Sequence, residues 1–373
     1  MTGNTEASWK QVLSQSITTP DSLPASFEIE ETGLHEVTTQ YPMLINPYYL
    51  GLIRQKGDAI YRQCIPDMRE ITNQAGLEDP LNEEGLSAVP GLTHRYPDRV
   101  LFLISSRCAM YCRFCNRKRK VGRASMVTKE TIREGLSYIQ SNKEIRDVLL
   151  SGGDPLLLEN KGLFRILSEL RTMSHVEIIR IGTRVPCTLP QRITPRLTNI
   201  LKKFHPLYIN THFNHPREIT PEAGLACRRL VDAGIPLGCQ TVLLKGVNDD
   251  IEIMKELMQK LLTIRVRPYY LFQADVAKGT SHFWTPLSQG LKIVSGLQGH
   301  TSGLCVPHFA IDLPGGGGKI PLLPEYVMEA NEDGLLIKNY LGEEYRRLSE
   351  NRLLLRSAAN SDGRVVKPKT SST

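Results

Sequence analysis

VLFLISSRCAMYCRFC, residues 100–115, joins an apolar run of strand length directly to three cysteines. The apolar part, Val100 to Ser105, has the length and composition of a buried parallel strand. Cys108, Cys112 and Cys115 follow at its carboxyl end. The stretch therefore predicts a sheet whose edge carries the cysteines on a loop.

The three cysteines offer three thiolates without a fourth ligand close by. A structural zinc ion usually takes four Cys or His ligands, and a cubane iron-sulfur cluster has four irons to bind. The next histidine is His175 and the next cysteine is Cys187, which disfavours a zinc knuckle. A disulfide knot would need an oxidising compartment, and the first residues, MTGN, do not begin a basic-then-apolar leader. The triplet thus indicates an iron-sulfur cluster with one iron open to an external ligand.

A run of basic residues flanks the triplet. We expect it to surround the cysteines with positive charge, to lower the pKa values of the thiols and to offset the negative charge of a thiolate-bound cluster. The run consists of Arg113, Arg117, Lys118, Arg119 and Lys120.

The composition is that of a globular chain, with 373 residues of which 40% are hydrophobic and 23% charged. No apolar run reaches the roughly 18 residues of a membrane span, so we expect a cytoplasmic protein without a membrane partner. The net charge of +7 is compatible with nucleic acid, but only 6% of the residues are aromatic and no RNA-binding or helix-turn-helix signature occurs. Anionic small molecules explain the charge equally well, and we expect no nucleic-acid partner.

Beyond the cysteines, strand and helix candidates alternate. The further strand candidates are 147–150, 176–181, 207–211, 236–243 and 266–272. The helix candidates are 128–142, 161–173, 194–204, 220–233 and 251–264. Six strands alternating with five helices predict a parallel sheet with right-handed crossovers, either an open doubly wound sheet or a barrel. In such barrels the chemistry lies at the carboxyl ends of the strands, and polar or glycine residues follow each of the six strands here.

The second strand candidate ends in the glycine-rich turn Ser151-Gly152-Gly153-Asp154-Pro155. Such a turn brings its backbone against a ligand, and its carboxylate can accept hydrogen bonds from an ammonium group. A tight connection from strand to helix could use the same residues for structural reasons alone.

Asp312-Leu313-Pro314-Gly315-Gly316-Gly317-Gly318-Lys319 is the second distinctive motif. It is not a phosphate-binding P-loop, because Leu313 and Ile320 stand where that motif needs Gly and Ser or Thr. A flexible hinge is the structural alternative. Four glycines let the backbone lie against a flat ligand and present one lysine whose amine can form a Schiff base. Pyridoxal phosphate (PLP) would suit that arrangement.

The CxxxCxxC spacing resembles the signature of radical S-adenosylmethionine (SAM) enzymes. That resemblance implies a 4Fe-4S cluster on Cys108, Cys112 and Cys115 whose open iron chelates SAM, within an α/β fold, a partial (β/α)6 TIM-like barrel. It further implies a set of SAM-binding residues, namely Gly152, Gly153, Asp154, His212 and Gln240.

The PGGGGK run narrows the resemblance to the lysine 2,3-aminomutase family, and similarity extends from about Pro90 to Tyr326. The resemblance implies that Lys319 binds PLP, that Arg95 and Arg99 contact its phosphate, and that Arg117 holds the substrate α-carboxylate. Asp275 and Asp312 would receive the far ammonium group of lysine, since two carboxylates in a buried pocket need a cation.

Several positions depart from the family pattern. Phe272 and Phe114 stand where clostridial-type enzymes have Tyr and His. Those enzymes also bind zinc through a cysteine near Asp250 and three C-terminal cysteines, whereas this chain has none after Cys305. Zinc, and an assembly built on it, is therefore not expected, whereas a homo-oligomer built without zinc is compatible with the sequence.

The resemblance implies an isomerase that moves the α-amino group of L-lysine to the β-carbon and yields L-β-lysine. Its cluster would take one electron from a reductant such as flavodoxin or ferredoxin and cleave SAM to a 5′-deoxyadenosyl radical. Arginine as the free substrate and a protein-bound lysyl substrate are the alternatives. From another class, a metal-stabilised nucleic-acid-binding module would leave Lys319 and the glycines without a purpose.

The expected organisation has four parts. Residues 1–92 form a helical N-terminal region, 93–284 the radical SAM partial barrel, and 285–340 a C-terminal segment that carries the PLP lysine and closes the barrel. Residues 341–373 form a polar and basic tail that we expect to be disordered.

Overall fold

The computed structural model describes residues 5–27, 31–332 and 334–348. Contacts divide the chain into two compact units, Met1–Leu322 and Leu323–Thr373. The predicted boundaries at residues 92, 284 and 340 remain predictions. Among the described helices, none is both long and apolar enough to cross a lipid bilayer.

The N-terminal region is mostly helical up to the first strands. Its helices are α1 Thr5–Ser14, α2 Glu31–Gln40, α3 Pro47–Leu50, α4 Ala59–Cys64 and α5 Arg69–Thr72, and its strands are β1 Ser87–Val89 and β2 Leu92–Tyr96.

Strands and helices then alternate as the sequence predicts. The strands are β3 Arg99–Ser105, β4 Asp147–Gly152, β5 Ile178–Gly182, β6 Leu207–Thr211, β7 Leu237–Leu243, β8 Arg267–Gln273, β9 His308–Leu313 and β10 Gly318–Pro321. The helices are α6 Lys129–Ser141, α7 Asn160–Thr172, α8 Val185–Thr188, α9 Pro195–Leu201, α10 Pro221–Asp232, α11 Ile251–Thr263 and α12 Leu287–Leu297.

These strands form one sheet in strict chain order from β1 to β10. Pairing is parallel from β3 through β9 and antiparallel at both edges, where β2 joins β3 and β10 joins β9. Chain-order parallel pairing with a helix between strands is the topology of a β/α barrel, so the predicted fold class is confirmed. The prediction of six strands omitted β9, which adds a seventh parallel strand and carries Asp312.

Residues on each strand alternate between two environments. In β4, Val148, Leu150 and Gly152 are buried, whereas the intervening Leu149 and Ser151 are partly exposed. Successive strand side chains point to opposite faces, so one face packs in the hydrophobic core and the other is more open. The carboxyl ends of the parallel strands share one rim, which places the predicted functional loops side by side.

Capping residues fix the helix starts that orient this rim. The side chains of Thr194 and Thr220 accept hydrogen bonds from the backbone N–H groups of Leu197 and Ala223, and a proline follows each cap. The extended conformation of the cap residue and the fixed φ of the proline favour a helix start there. These boundaries agree with the prediction to within one residue.

The second unit contains a three-stranded antiparallel sheet of β11 Val327–Asn331, β12 Gly334–Lys338 and β13 Glu344–Leu348. The prediction of disorder from residue 341 is wrong for β13, because its backbone pairs with β12 from Lys338 to Gly334. Local polarity did not reveal this pairing. The rest of the predicted tail, 349–373, lies outside the described residues.

Candidate active site

The cysteine loop follows β3, as predicted, and all three thiols are free. The N-terminal region holds the loop by backbone hydrogen bonds. Tyr111 N–H donates to the carbonyl of Leu44 at 2.9 Å, and Arg113 N–H donates to that of Gln63 at 2.9 Å. The helical region therefore shapes the cysteine loop as well as covering the core.

The basic run is paired with acids of the N-terminal region, which the prediction did not include. Arg113 Nε donates to Glu70 at 2.8 Å, and Lys118 Nζ donates to the same buried carboxylate at 2.7 Å. The partners of the other three come from the segment 79–84: Glu83 for Arg117, Asp79 and Glu84 for Arg119, and Glu84 for Lys120. Each cation thus anchors the N-terminal region to the loop.

The thiols themselves also differ from the prediction. Burial raises the pKa of Cys115 to about 11 and raises the pKa of Cys108 well above its usual value. Arg117 and Lys118 do lower the pKa of Cys115, as predicted for the basic run, but burial outweighs their effect.

A further cation at the cysteine loop is Arg184, which follows β5. Its Nη1 lies 2.7 Å from Cys112 Sγ, and its Nη2 donates to Glu218 at 2.8 Å and to Gln63 at 2.6 Å. Its buried Nε has no partner among the described residues. An incompletely satisfied guanidinium beside a thiol fits an anionic group at this position. Position at a strand end was the only sequence signal for Arg184.

The two glycines after β4 support the cysteine loop sterically. Gly152 has a φ of +133°, and a Cβ there would lie 2.2 Å from the carbonyl oxygen of Ser105. A Cβ on Gly153 would lie 2.5 Å from the carbonyl oxygen of Arg107. Both positions therefore need glycine, because the backbone leading to Cys108 passes directly over them.

Asp154 is hydrogen-bonded within the protein, and its predicted contact with SAM stays a prediction. Its carboxylate accepts from Thr183 Oγ1 at 2.7 and 2.8 Å and from the backbone N–H groups of Leu156, Arg184 and Val185. These bonds occupy its acceptor capacity. Burial nevertheless raises its pKa to about 6. Asp154 thus ties the loop after β4 to the loop after β5.

His212 directly follows β6, and Gln240 lies in the middle of the neighbouring strand β7. His212 Nε2 is 2.9 Å from Asn214 Oδ1, and burial lowers the pKa of its imidazole to about 3, so the ring is neutral. The centre of its ring lies 5.6 Å from the centre of the Phe114 ring. In the sequence, Phe114 lies between Cys112 and Cys115. Gln240 is partly buried on β7, opposite Tyr270 of β8. His212 therefore stands on the rim and Gln240 lies deeper in the sheet, and their contacts with SAM stay a prediction.

Arg117 binds Glu83, a carboxylate that the sequence did not single out. Its Nε donates to both oxygens of Glu83 at 2.9 and 2.8 Å, and its Nη2 donates to the same group. Its Nη1 makes only a long contact, 3.4 Å, with Ser151 Oγ at the end of β4. The pair fixes the guanidinium plane and leaves the Nη1 edge available for another carboxylate.

Asp275 and Asp312 approach the loop from two further strands. Asn116 Nδ2 donates to Asp275 at 2.7 Å, which links the end of β8 to the cysteine loop. Asp312 on β9 accepts from Arg95 Nη1 at 2.7 Å and from Lys319 Nζ at 2.8 Å. Both carboxylates are buried or nearly so, and each already has a polar partner.

Lys319 stands on β10 directly opposite Asp312 on β9. Its backbone N–H donates to the Tyr96 hydroxyl at 2.9 Å, and its ammonium lies 5.5 Å from the centre of the Phe272 ring. The turn before it needs glycine, since Gly315, Gly316 and Gly318 all have positive φ values. The four-glycine run is therefore a defined turn that places one amine.

The two arginines predicted to contact a phosphate have different surroundings. Arg95 donates to Asp312 and to the carbonyl of Leu81 at 2.8 Å, while its buried Nε lacks a partner among the described residues. Arg99 stacks 3.8 Å over the Tyr96 ring and pairs with the adjacent Asp98. Arg95 contacts Asp312, which also binds the Lys319 ammonium. Arg99 stacks on Tyr96, whose hydroxyl accepts a hydrogen bond from the backbone N–H of Lys319.

A continuous set of charges joins the cysteine loop to the lysine. Arg117 interacts electrostatically with both Cys115 and Asp275, and Asp275 interacts with Asp312 and Lys319. Within the described part of the chain, no three His, Cys, Asp or Glu side chains converge on a single metal ion. The thiolates of a cubane cluster each bind a different iron, so that arrangement does not require such convergence.

Comparisons with known proteins identify this site in two steps. Residues 102–258 match the model of the Radical SAM superfamily, so the barrel and its three cysteines define a radical SAM enzyme, with a 4Fe-4S cluster and SAM as cofactors. Residues 294–351 match the model described as Lysine-2,3-aminomutase. The chain belongs to the lysine 2,3-aminomutase family, a family of isomerases, and its predicted family assignment is confirmed.

Similarity to individual relatives covers most of the chain. It is 52% identical to L-lysine 2,3-aminomutase of Clostridium subterminale over 317 residues, 84% of this chain and 76% of the relative. It is 52% identical to L-lysine 2,3-aminomutase of Methanococcus maripaludis over 344 residues, 90% of this chain and 79% of the relative. Glutamate 2,3-aminomutase of Clostridioides difficile is 45% identical over 348 residues, 91% of this chain and 82% of the relative.

The pair between Glu83 and Arg117 predicts a large effect on stability. Glu83→Gln should lower the free energy of unfolding by about 3–5 kcal/mol, because it leaves a largely buried guanidinium without its counterion. Glu84→Gln is the matched control, since its side chain is 62% exposed and the Glu83 side chain only 6%, so we expect a loss of about 1 kcal/mol or less. Denaturant unfolding of both variants measures the two losses of stability. Equal losses would contradict a stabilising role for the buried pair between Glu83 and Arg117.

Proposed function

We propose that this enzyme converts L-lysine to L-β-lysine by moving the α-amino group to the β-carbon, with PLP bound through Lys319. The observation that supports it is a network of contacts from the cysteine loop to Lys319. Asn116, next to Cys115, donates to Asp275 at 2.7 Å, Asp275 interacts with Asp312 and Lys319, and Lys319 donates to Asp312 at 2.8 Å. This network connects the loop that makes the radical to the amine that tethers the substrate. Such chemistry requires both within one cavity.

The side chains at Lys319 fit PLP. Phe272 lies beneath the ammonium, Tyr270 stacks on Phe272 at 4.8 Å, and Arg95 offers an unpartnered Nε to an anion. When bound, PLP supplies an aldehyde for the Lys319 amine and a conjugated ring that delocalises an unpaired electron. The cluster with SAM supplies the radical. The protein contributes orientation, exclusion of water and fixed charge.

The substrate ends have opposite charges, and the proposed site does too. Arg117, held by Glu83, would bind the α-carboxylate at its Nη1 edge. Asp275 and Asp312 would bind the distal ammonium, which would replace Lys319 as the cation at Asp312. An acidic distal group would meet two carboxylates, which favours lysine over glutamate.

Turnover of free L-lysine, L-arginine and L-glutamate, assayed side by side under anaerobic conditions, tests the proposal. We expect lysine to be the best substrate and glutamate to show no turnover. Arginine is the informative competitor, because its guanidinium can also bind two carboxylates. Turnover of arginine with none of lysine would reject the proposed substrate, and activity on a lysyl protein alone would reject a free amino acid.

The acid limb of the pH profile should report Asp275. Burial raises the pKa of its carboxyl to about 6, the Asn116 hydrogen bond opposes that shift, and Asp312 adds to it. The carboxylate is ionised above that pKa and protonated below it, so kcat/KM for lysine should fall about fivefold from pH 6 to pH 5. Asp275→Asn cannot ionise and should have low kcat/KM without this limb. An unchanged limb in the variant would contradict the role of Asp275.

A further inference from the structure

A second cation-rich site lies apart from Lys319, where the N-terminal region meets the loops after β7 and β8. It is a cavity of about 200 Å³. Its lining consists of Arg62, Arg69, Asn73, Lys245, Ser281 and His282. The proposed amino acid site uses none of these residues.

Positive charge exceeds negative charge in this cavity. Arg69 pairs with Asp67 at 2.6 Å, and this contact outweighs burial and lowers the pKa of Asp67 to about 2. Arg62 donates to the carbonyl of Gly57, and neither Arg62 nor Lys245 forms an ion pair with a described residue. Burial lowers the pKa of His282 to about 4, so its ring adds no charge at neutral pH. Three cations against one carboxylate leave two positive charges.

Aromatic rings connect this cavity to the cysteine loop. The His282 ring at the cavity lies 4.2 Å from the Phe283 ring, which lies 6.1 Å from the Phe114 ring. Phe114 stands between Cys112 and Cys115. Lys245 joins the same chain through its backbone, because its N–H donates to the carbonyl of Phe283 at 2.9 Å. Only two ring-to-ring steps thus separate the cation-lined cavity from the residue between two cluster ligands.

We propose that the surface formed by Arg62, Arg69 and Lys245 is the docking site for an acidic one-electron carrier protein. The carrier is oxidised by one electron and the cluster is reduced by one electron, with no atom transferred. Complementary charge orients such partners and speeds their encounter. The basic run next to the cysteines suits this purpose less well, since four acids of the N-terminal region pair with its five cations and leave one positive charge.

Cluster bleaching by a reduced flavodoxin tests the proposal without needing substrate. The holoenzyme carrying R62Q, R69Q and K245Q together should be reduced at least about tenfold more slowly than the wild type at low ionic strength. Added salt should slow the wild type and leave the variant nearly unchanged. Dithionite needs no docking surface, so it should bleach the cluster of the wild type and the cluster of the triple variant at the same rate.

Lys202 and Lys203 provide the matched control. Both are exposed and precede β6, so they lie at the opposite end of the barrel from the cysteine loop. K202Q with K203Q should keep the wild-type rate with flavodoxin. If the triple variant does not fold, K245Q alone, whose side chain is exposed, should still slow flavodoxin and not dithionite.

Two results would overturn the proposal. One is a flavodoxin rate in the cavity variants equal to that of the wild type, and the other is an equal loss in the control variant. Inorganic phosphate that binds the cavity but does not slow flavodoxin would instead identify a small-anion site, and this too rejects docking. The readout is reduction of the cluster and not turnover of lysine. If the proposed lysine chemistry is wrong, turnover will be absent but these reduction rates will be unchanged.

Discussion

Lys319→Ala should lower turnover of L-lysine by about 10³-fold or more, a loss of at least about 4 kcal/mol of transition-state stabilisation. Lys319 presents the only amine at the glycine turn in the proposed reaction, and its removal takes away the tether for PLP. The iron content should not change, since Lys319 contacts Asp312, Tyr96 and Phe272 and none of the cysteines. Anaerobic absorbance spectra measure both cofactors at once: the PLP band should vanish and the iron-sulfide band remain.

Lys319→Arg separates the amine from its charge. A guanidinium can still pair with Asp312, but it does not condense with an aldehyde, so this variant should be as inactive as Lys319→Ala. A variant that kept the PLP band, or an arginine variant with substantial turnover, would reject Lys319 as the attachment point. Loss of the iron-sulfide band in Lys319→Ala would show instead that the substitution disturbs the whole rim.

Gly152→Ala should disturb the cluster strongly although it leaves the cysteines in place. A methyl group there meets the Ser105 carbonyl at 2.2 Å, and the φ of +133° disfavours any residue with a Cβ. Strain of this kind costs about 1–3 kcal/mol, and relief requires the backbone before Cys108 to move. We expect a substoichiometric iron content and a correspondingly weak iron-sulfide band after anaerobic reconstitution.

Gly162→Ala is the control within the same part of the chain. Gly162 lies in α7, and a Cβ there would meet no atom within 4 Å. Alanine should therefore stabilise the helix by about 0.5–1 kcal/mol and leave the iron content unchanged. If Gly152→Ala held a full complement of iron, the steric account of the glycine pair would be wrong.

The predictions from sequence succeeded where the signal is local. Strand β3 is a continuous apolar run, and its cysteines follow within a few residues, so their position on a loop after a strand needed no tertiary information. Helix starts were equally clear, because Thr194 and Thr220 precede prolines. Strand β9 was missed as a member of the sheet, since an apolar stretch alone does not show its pairing.

Assignments that depend on pairing could not be made from sequence. In the sequence, the basic run has no acidic residue beside it and so was expected to act on the cluster. In the structure, Glu70, Glu83 and Glu84 form ion pairs with it. Asp154 appeared free until three backbone N–H groups and Thr183 were found around it. Apart from the contact between Asp154 and Leu156, the residues in these contacts are 29 or more positions apart, and no spacing rule encodes them.

By itself the sequence determined the chemistry that this protein can carry: three thiolates with one open metal position, one amine behind four glycines, and a βα alternation that brings strand ends to one rim. These are properties of neighbouring residues, which steric and covalent constraints fix locally. Only the tertiary structure decided which charges remain available, because burial makes each cation take a carboxylate from a distant segment. That is why Arg184, rather than the basic run, lies at Cys112, and why Glu83 holds Arg117.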